Sequence, residues 1–298
     1  MTAATIVRSG SGGRPRARGL ARRRVASVAM VALTCVAAAL AIVPLVAILG
    51  YLIKQGAGAL SLDFFTSMPK PVGESGGGMA NAIVGTLMLI GIASIVGLPV
   101  GIGAGLYLAE RGGTRLANLV RFLADVLNGL PSIVMGIFAW EFLVRPIGHF
   151  SALAGGAAIG AMMIPLVTRT TEEMVRTVPQ SLREAALALG FPRWRTSLQI
   201  VLRTAMGGIV TGVLVAVARV AGETAPLLFT IGVTSKVNAN PFHGTNTTLS
   251  QEIWFNAQTP FAAAKDRAWG AALTLIVIVF LFTVIARVVS SRFSTLKR

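Results

Sequence analysis

Long apolar stretches separated by short polar segments form the dominant pattern along this chain. The longer stretches approach or exceed the roughly 20 residues that an α-helix needs to cross the hydrocarbon core of a bilayer. They run from Val25 to Ile53 and then near Met79 to Leu108, Leu127 to Leu143, Ala152 to Val167, Ala205 to Ile231 and Trp269 to Val289. The pattern predicts an all-α, polytopic membrane protein with about six transmembrane helices.

Two of these stretches raise a further question. The first follows residues 1–24, which contain seven arginines among Gly, Ser and Ala. A basic segment before an apolar stretch is also typical of a signal peptide, but a cleavable apolar core has only about 7 to 15 residues. We therefore predict a disordered cytoplasmic tail over residues 1–24 and a transmembrane domain over residues 25–298.

The fourth stretch is short, and Pro165 predicts a bend near its cytoplasmic end.

The composition supports a membrane protein and explains the strong positive charge. Hydrophobic residues make up 54% of the 298 residues and charged residues only 13%. A net charge of +16 is also typical of nucleic-acid binding, but here Lys and Arg lie between the apolar stretches. With the N-terminus inside, twenty of the 27 basic residues are cytoplasmic, six are outside, and Arg219 lies within the fifth stretch. This distribution predicts that both termini are cytoplasmic and that the basic residues need no nucleic acid.

Few residues offer catalytic or metal-binding chemistry. Cys35 is the single cysteine, and His149 and His243 have no Cys, Asp or Glu cluster at ligand spacing. The sequence contains no G-x-x-x-x-G-K-[ST] motif, so the phosphate-binding loop of a P-loop ATPase is missing. We expect no metal, no bound cofactor and no ATP hydrolysis by this chain alone.

Glycines recur at four-residue spacing inside the apolar stretches. In the second stretch they are Gly97, Gly101 and Gly105, and the spacing recurs at Gly156 and Gly160 and at Gly208 and Gly212. Small residues at this spacing let helix backbones approach closely. Close helix packing is the favoured interpretation, and a pore-lining role is the alternative.

The cytoplasmic segment at about residues 169–204 carries clear helix signals. Ser181 and Glu184 have the spacing of a capping box, in which each side chain satisfies a backbone donor near the start of a helix. Good helix formers follow, and Gly190 fits the left-handed position that ends a helix. Pro192 suits the first turn of a second helix. Because so short a helix is marginal alone, its apolar face must fill a partner's groove or pack on this chain's own loops.

The same segment resembles the EAA loop of bacterial ABC importer permeases. Its matching residues are Glu184-Ala185-Ala186, Gly190 after three residues, and Ile200-Val201-Leu202 after nine more. The resemblance implies the type I importer architecture of about six helices, with Glu184, Ala185, Ala186 and Gly190 on a coupling helix in a cleft of an ATPase subunit. Arg203 stands where that family usually has proline, so the entry into the fifth helix departs from the family pattern.

Four further motifs resemble the A-type permeases of bacterial phosphate-specific ABC transporters from about Phe64 onward. They are Asn81-Ala82-Ile83-Val84-Gly85-Thr86, Pro131-Ser132-Ile133-Val134, Thr168-Arg169-Thr170-Thr171-Glu172-Glu173 and Gly222-Glu223-Thr224-Ala225-Pro226-Leu227-Leu228. The resemblance implies a permease for phosphate in the bacterial cell membrane. It also implies a C-type permease partner, two ATPase subunits that bind ATP-Mg, and an extracytoplasmic phosphate-binding protein.

Three charged residues are candidates for the substrate pathway. Arg219 and Glu223 are four residues apart in the fifth stretch, where ionisable groups are costly and are functional candidates. The Arg guanidinium matches the oxygens of a phosphate, and Glu223 would hold it when the pathway is empty. A purely structural ion pair is the alternative. Arg169, directly after the fourth stretch, is a candidate for a cytoplasmic anion vestibule or an anchor at the membrane surface.

The remaining polar features have simpler interpretations. We expect Glu172 and Glu173 at the solvated start of the cytoplasmic loop, and Glu141 paired with Arg145. The outer segment from Gly232 to Thr259, with the loop around Phe64 and Phe65, is a candidate surface for the binding protein or a mobile cover. Residues Asn246-Thr247-Thr248 fit a glycosylation sequon.

Three other functions remain as alternatives. The first is an ABC permease for another oxyanion or small solute, since the EAA loop would serve it equally. The second is a secondary transporter or channel that needs no ATPase. The third is a membrane-bound enzyme, which would need a spaced carboxylate pair or a nucleophile with a base, and the sequence shows neither.

Overall fold

The computed structural model describes residues 17–294, with side chains for residues 23–288. Residues 1–16 and 295–298 lie outside the described residues, and so does most of the predicted tail. The described residues divide into two compact units, one that ends at Tyr51 and one that begins at Leu52. All regular structure in the described part is helical, which confirms the predicted all-α fold.

The helices are numbered α1 to α13, with two π-helical segments between them. They are α1 (Ala17–Ala59), α2 (Leu62–Thr66), α3 (Ala80–Arg111), α4 (Arg115–Gly129), α5 (Ser132–Ala139), π-helix Trp140–Val144, α6 (Arg145–Ile147), α7 (Ala152–Arg176), α8 (Gln180–Ala188), α9 (Arg193–Arg195), π-helix Thr196–Val201, α10 (Leu202–Ala221), α11 (Leu227–Thr230), α12 (Leu249–Ala257) and α13 (Ala262–Ser294). Helix α1 begins within the segment predicted to be a tail, eight residues before Val25.

Five helical stretches in the described residues are long and apolar enough to cross a membrane. They are Arg23–Ala59, Ala80–Arg111, Ala152–Arg176, Arg193–Ala221 and Ala262–Val288. The bent pair Arg115–Gly129 and Ser132–Ile147 makes a sixth if it is one span. The structure therefore supports five or six spans.

The predicted third stretch is broken rather than continuous. The helices on either side of the break are bent by 106°. Pro131 has a ψ of 137° and precedes α5 as its N-cap, so the chain is extended between α4 and α5. Proline lacks the amide hydrogen that a continuous helix needs, and it disfavours the helical conformation in the preceding residue. Hydropathy alone does not reveal such a break because both sides are apolar.

Helices α3 and α7 pack against each other through their glycines. A Cβ atom on Gly101 would lie 2.7 Å from the Cβ of Val167, and one on Gly105 would lie 2.5 Å from the carbonyl oxygen of Thr168. Helix α10 approaches α7 in the same way, since a Cβ on Gly212 would lie 2.5 Å from the hydroxyl oxygen of Thr170. The predicted close packing at these glycines is confirmed.

Helix α7 is longer than its apolar stretch. It continues through Pro165 to Arg176 and contains 25 residues, enough to span a bilayer. Pro165 is buried, and the chain stays helical beyond it. The proline therefore does not end the helix, and the bend at Pro165 stays a prediction.

The outer segment from Gly232 to Thr259 is fixed to the rest of its unit. The Thr247 hydroxyl donates to the carbonyl oxygen of Thr234 at 2.8 Å, and the Asn81 side chain donates to the same oxygen at 2.8 Å. A capping box of Thr248 and Gln251 begins α12. Asn246 is only 2% exposed, so its sequon is inaccessible in the folded chain. These contacts argue against a mobile cover.

Candidate functional site

The helix that carries Glu184, Ala185 and Ala186 is α8. Ala186 is buried, at 3% exposure, whereas Glu184 and Ala185 are exposed. The exposed face also presents Leu187 and Leu189, at 44% and 78% exposure. Within the described chain, α8 therefore has one anchored side and one side with a carboxylate and apolar residues free for contact. Packing on this chain's own residues therefore accounts for Ala186, and docking of the exposed side to a partner stays a prediction.

The start of α8 differs from the prediction. Its N-cap is Pro179, with no side-chain hydrogen bond to the first turn, and Ser181 lies inside the helix. The predicted capping box of Ser181 and Glu184 is therefore wrong. The ψ of 139° at Pro179 turns the chain out of α7, and the helix begins directly after it. Glu184 is left without a capping role.

The end of α8 agrees with the prediction. Gly190 has a φ of +83°, in the left-handed region. Its amide donates to the carbonyl of Leu187 at 3.0 Å, and the Phe191 amide donates to the carbonyl of Ala186 at 3.1 Å. These two bonds form a Schellman motif, which satisfies carbonyls that the helix end leaves unpaired. The next helical stretch begins at Arg193, directly after Pro192.

A cleft of about 690 Å³ lies beside α8. It is bordered by α8 and the adjoining ends of α3, α7 and the helix that leads into α10. The lining residues are Ala109, Glu110, Arg176, Thr177, Val178, Pro179, Gln180, Arg183, Leu187, Arg193, Thr196 and Ser197. Three arginines and one glutamate make this lining basic.

Glu172 is a junction between helices and not a solvated loop residue. Its side chain is only 5% exposed, accepts a hydrogen bond from Arg121 of α4 at 2.8 Å and forms an ion pair with Arg176 of α7 at 2.6 Å. The expectation of a solvated Glu172 is therefore wrong. Helix α7 extends further than its apolar stretch, so this residue lies inside a helix and faces α4. Glu173, the next residue, is exposed as expected.

Arg169 lies close to this junction but is more exposed. Its side chain is 54% exposed and lies 3.9 Å from Asp125 of α4 and 3.8 Å from Glu173. A small cavity of about 140 Å³ lies between α4 and α7. Its charged and polar lining includes Arg121, Asp125, Asn128, Thr168, Arg169 and Glu172. Arg169 is thus part of a polar cavity with charges of both signs.

Arg219 and Glu223 are not on one helix. Arg219 lies in the last turn of α10, which ends at Ala221 with Gly222 as its C-cap, so Glu223 follows the helix. The structure shows no ion pair between these two side chains, or for Arg219 with any other described residue. Arg219 is exposed, and the carbonyl of Glu223 accepts a hydrogen bond from the Ser250 hydroxyl at 2.9 Å. The predicted i to i+4 arrangement is wrong because the helix ends between the two residues.

The predicted pathway residues lie on adjacent helices. Thr170, which follows Arg169, packs against Gly212 of α10, and Arg219 lies two turns beyond Gly212 on the same helix. No direct contact between Arg169 and Arg219 is present among the described residues.

One of the two phenylalanines in the candidate docking surface for the binding protein is buried. Phe64 is 1% exposed and packs with Met79 and Leu249, so it belongs to a core cluster. Phe65 is 45% exposed and remains available.

The predicted pair of Glu141 and Arg145 is present. The rings of His149 and His243 stack with centroids 3.7 Å apart, a contact between distant loops that the sequence did not indicate.

Comparison with known proteins gives a consistent result. Residues 101–295 match the family described as binding-protein-dependent transport system inner membrane component. The chain is 44% identical over 246 residues to a phosphate transport system permease protein PstA of Yersinia pestis, covering 80% of this chain and 81% of that protein. It is 38% identical over 262 residues to PstA 1 of Mycobacterium tuberculosis (strain CDC 1551 / Oshkosh), covering 87% and 86%.

Solved structures share the fold at low sequence identity. A chain of a bacterial alginate ABC transporter, crystallised with its periplasmic protein, superposes with a TM-score of 0.63 at 15% identity, covering 93% of this chain and 98% of that one. A chain of the inward-facing MetNI methionine ABC transporter superposes with a TM-score of 0.56 at 18% identity, covering 72% and 94%. At these low identities, the two solved structures show a shared fold and nothing more.

Proposed function

The chain belongs to the family of binding-protein-dependent transport system inner membrane components, and we propose that it is the permease subunit of an ATP-driven importer of inorganic phosphate. A permease subunit of this kind is not itself catalytic. The observation that carries the substrate assignment is the 44% identity, over 80% of this chain, to a phosphate transport system permease. The relatives' names favour phosphate over other oxyanions, and no structural observation favours another solute.

The proposed partners follow from this function. A second, C-type permease would complete the passage, and two ATPase subunits would bind ATP-Mg on the cytoplasmic side. Helix α8 would sit in a groove of one ATPase subunit, with the exposed Glu184 and Ala185 at the contact. An extracytoplasmic phosphate-binding protein would dock on the outer surface near Phe65, which is 45% exposed.

The orientation is part of the proposal. Basic segments follow α3 and α7, and Arg183 of α8 pairs with Glu110 at the end of α3. The carboxyl ends of α3 and α7 therefore lie on the same side as α8. The excess of Lys and Arg favours placing this side, and both termini, in the cytoplasm.

Two arginines would guide the anion. Arg219 is exposed and has no ion pair among the described residues, so its guanidinium is free to donate to phosphate oxygens. Arg169 would attract the anion at the cytoplasmic cavity between α4 and α7, where Asp125 and Glu173 lie within 4 Å of it. Glu223 lies beyond α10 and would tune the potential near Arg219, without holding its guanidinium.

Transport into proteoliposomes tests the proposal. The complex of this chain with its permease, ATPase and binding-protein partners is reconstituted, and uptake of radiolabelled phosphate is measured with ATP or with an ion gradient alone. We expect uptake only with ATP. In the Glu184→Lys variant, the ATPase subunits should no longer copurify with the permease, and phosphate uptake should be lost. Uptake driven by the gradient without ATP would identify a secondary transporter and contradict the proposal.

A further inference from the structure

Arg183 ties the coupling helix α8 to two other helices. One guanidinium nitrogen pairs with the Glu110 carboxylate in the last turn of α3. The other donates to the carbonyl oxygen of Val175, in the last turn of α7, at 3.1 Å. The Arg183 side chain is only 15% exposed and Glu110 is 28% exposed. A single side chain therefore connects α8 with the ends of α3 and α7.

The two helices that Arg183 reaches form a closely packed pair. Besides Gly101 and Gly105, Gly97 also faces α7, where an added Cβ would lie 2.9 Å from the carbonyl oxygen of Gly160. Backbone contact over this length leaves little room for sliding, because packed interiors are dense and not continuously deformable. A displacement applied at the ends of α3 and α7 would therefore move both helices together.

Apart from its packing on the π-helix Thr196–Val201, helix α8 has few other attachments. It has nine residues, of which only Ala186 is buried. A helix of this length has little stability of its own. Its position relative to α3 depends on side-chain contacts, since the chain joins it directly only to α7 and α9. Arginine suits this task because its planar fork donates in two fixed directions.

We propose that Arg183 is a positioning residue that transmits the displacement of α8 to α3 and α7 during ATP-driven transport. This inference rests on the proposed function, in which an ATPase subunit moves α8. The low exposure of Arg183 distinguishes it from Glu184, which faces outward for docking. Without the link, ATPase subunits still bind and hydrolyse ATP, but α3 follows the motion of α8 only in part.

The test measures phosphate uptake and ATP hydrolysis in the same proteoliposomes of the complete complex. Arg183→Gln removes both contacts, and Glu110→Gln removes the ion pair while leaving the surface of α8 unchanged. Arg111→Gln is the matched control, because Arg111 adjoins Glu110 and its side chain is exposed. We expect both link variants to keep ATP hydrolysis but to lower the phosphate carried per ATP about five-fold or more. The control should keep the wild-type ratio.

The charge-swapped variant Glu110→Arg/Arg183→Glu gives an independent measurement. It restores an ion pair between α3 and α8. The phosphate carried per ATP should therefore exceed the value expected if the separate effects of Glu110→Arg and Arg183→Glu were additive. An unchanged ratio in Arg183→Gln and Glu110→Gln would overturn the inference. If Arg183→Gln fails to assemble, the ratio in Glu110→Gln decides. Absence of phosphate uptake by the wild-type complex would contradict the proposed function instead, since the wild-type complex keeps the Arg183 link.

Discussion

Glu172 of α7 accepts a hydrogen bond from Arg121 of α4 at 2.8 Å, although 51 residues separate them in the chain. The same carboxylate oxygen lies 2.6 Å from Arg176. Glu172 thus links α4 to the long α7 beside the polar cavity that Arg169 lines. An ion pair that is largely out of water depends strongly on both partners, because removing one leaves the other charge uncompensated.

We expect Glu172→Gln to lower the free energy of unfolding by about 1 to 3 kcal/mol, since the neutral amide oxygen of glutamine is a weaker acceptor for the two arginines than the carboxylate. Thermal unfolding of the detergent-solubilised protein measures this change. Glu173→Gln is the control, because Glu173 is exposed and lies 3.8 Å from Arg169. Equal stability of the two variants would show that the Glu172 junction contributes nothing.

The packing of α3 on α7 makes a second prediction. Gly105→Ala would place a methyl group 2.5 Å from the Thr168 carbonyl oxygen, whereas Gly103 has open space at the same position. Overpacking of this kind costs about 1 to 3 kcal/mol. We expect a lower unfolding temperature for Gly105→Ala and no loss for Gly103→Ala. A comparable loss in both would mean that helix contact does not limit residue size here.

A substitution at Gly190 tests the proposed coupling role of α8 without changing any side-chain contact. Its φ of +83° favours glycine, and an added Cβ would meet no atom within 4 Å. Gly190→Ala should therefore cost about 1 kcal/mol through backbone strain alone, and Gly190→Asn should cost less. We expect weaker copurification of the ATPase subunit with the Ala variant than with the Asn variant. The reverse order would show that the residue acts through its surface.

Burial raises the pKa of Glu252 in α12, and this outweighs the opposing effects of the Asn256 hydrogen bond and the nearby Arg267 charge. The folded protein therefore keeps this proton at a pH where the unfolded chain has lost it. Stability should fall as the pH rises from about 4.5 through the raised pKa, by about 1.4 kcal/mol for each tenfold difference in proton affinity.

Glu252→Gln should remove this part of the pH dependence and be more stable than the wild type above that range. Unfolding temperatures of both proteins at roughly pH 5 and pH 8 measure this difference in pH dependence. Glu74→Gln, which removes one exposed carboxylate, is the matched control for the loss of a negative charge. An identical pH profile for Glu252→Gln and wild type would contradict the assigned titration.

Hydropathy and helix signals predicted much of this fold. The apolar stretches correctly located the long helices, and glycine spacing predicted close helix packing, which the structure shows where Gly101 meets Val167. Gly190 was also predicted correctly, because the left-handed end of a helix is a local property of the chain. Features that depend on a few neighbouring residues were therefore accessible from the sequence.

The errors have a common physical cause. Pro131 breaks a stretch that is apolar on both sides, and Gly222 ends α10 before Glu223, so averaged hydropathy passed over both sites. The contacts of Glu172 with Arg121 and of Arg183 with Glu110 join residues 51 and 73 positions apart. Such contacts depend on how helices pack, and one sequence alone does not specify the pairing.

The most direct test of the account is uptake of radiolabelled phosphate by the complete reconstituted complex, with ATP inside the vesicles and excess unlabelled sulfate or molybdate outside. We predict ATP-dependent phosphate uptake that these anions do not suppress, and at least about a ten-fold loss in Arg219→Gln, because one charge-assisted contact is removed. Uptake of sulfate or molybdate in place of phosphate, or undiminished phosphate uptake by Arg219→Gln, would contradict the proposed substrate or its pathway, respectively.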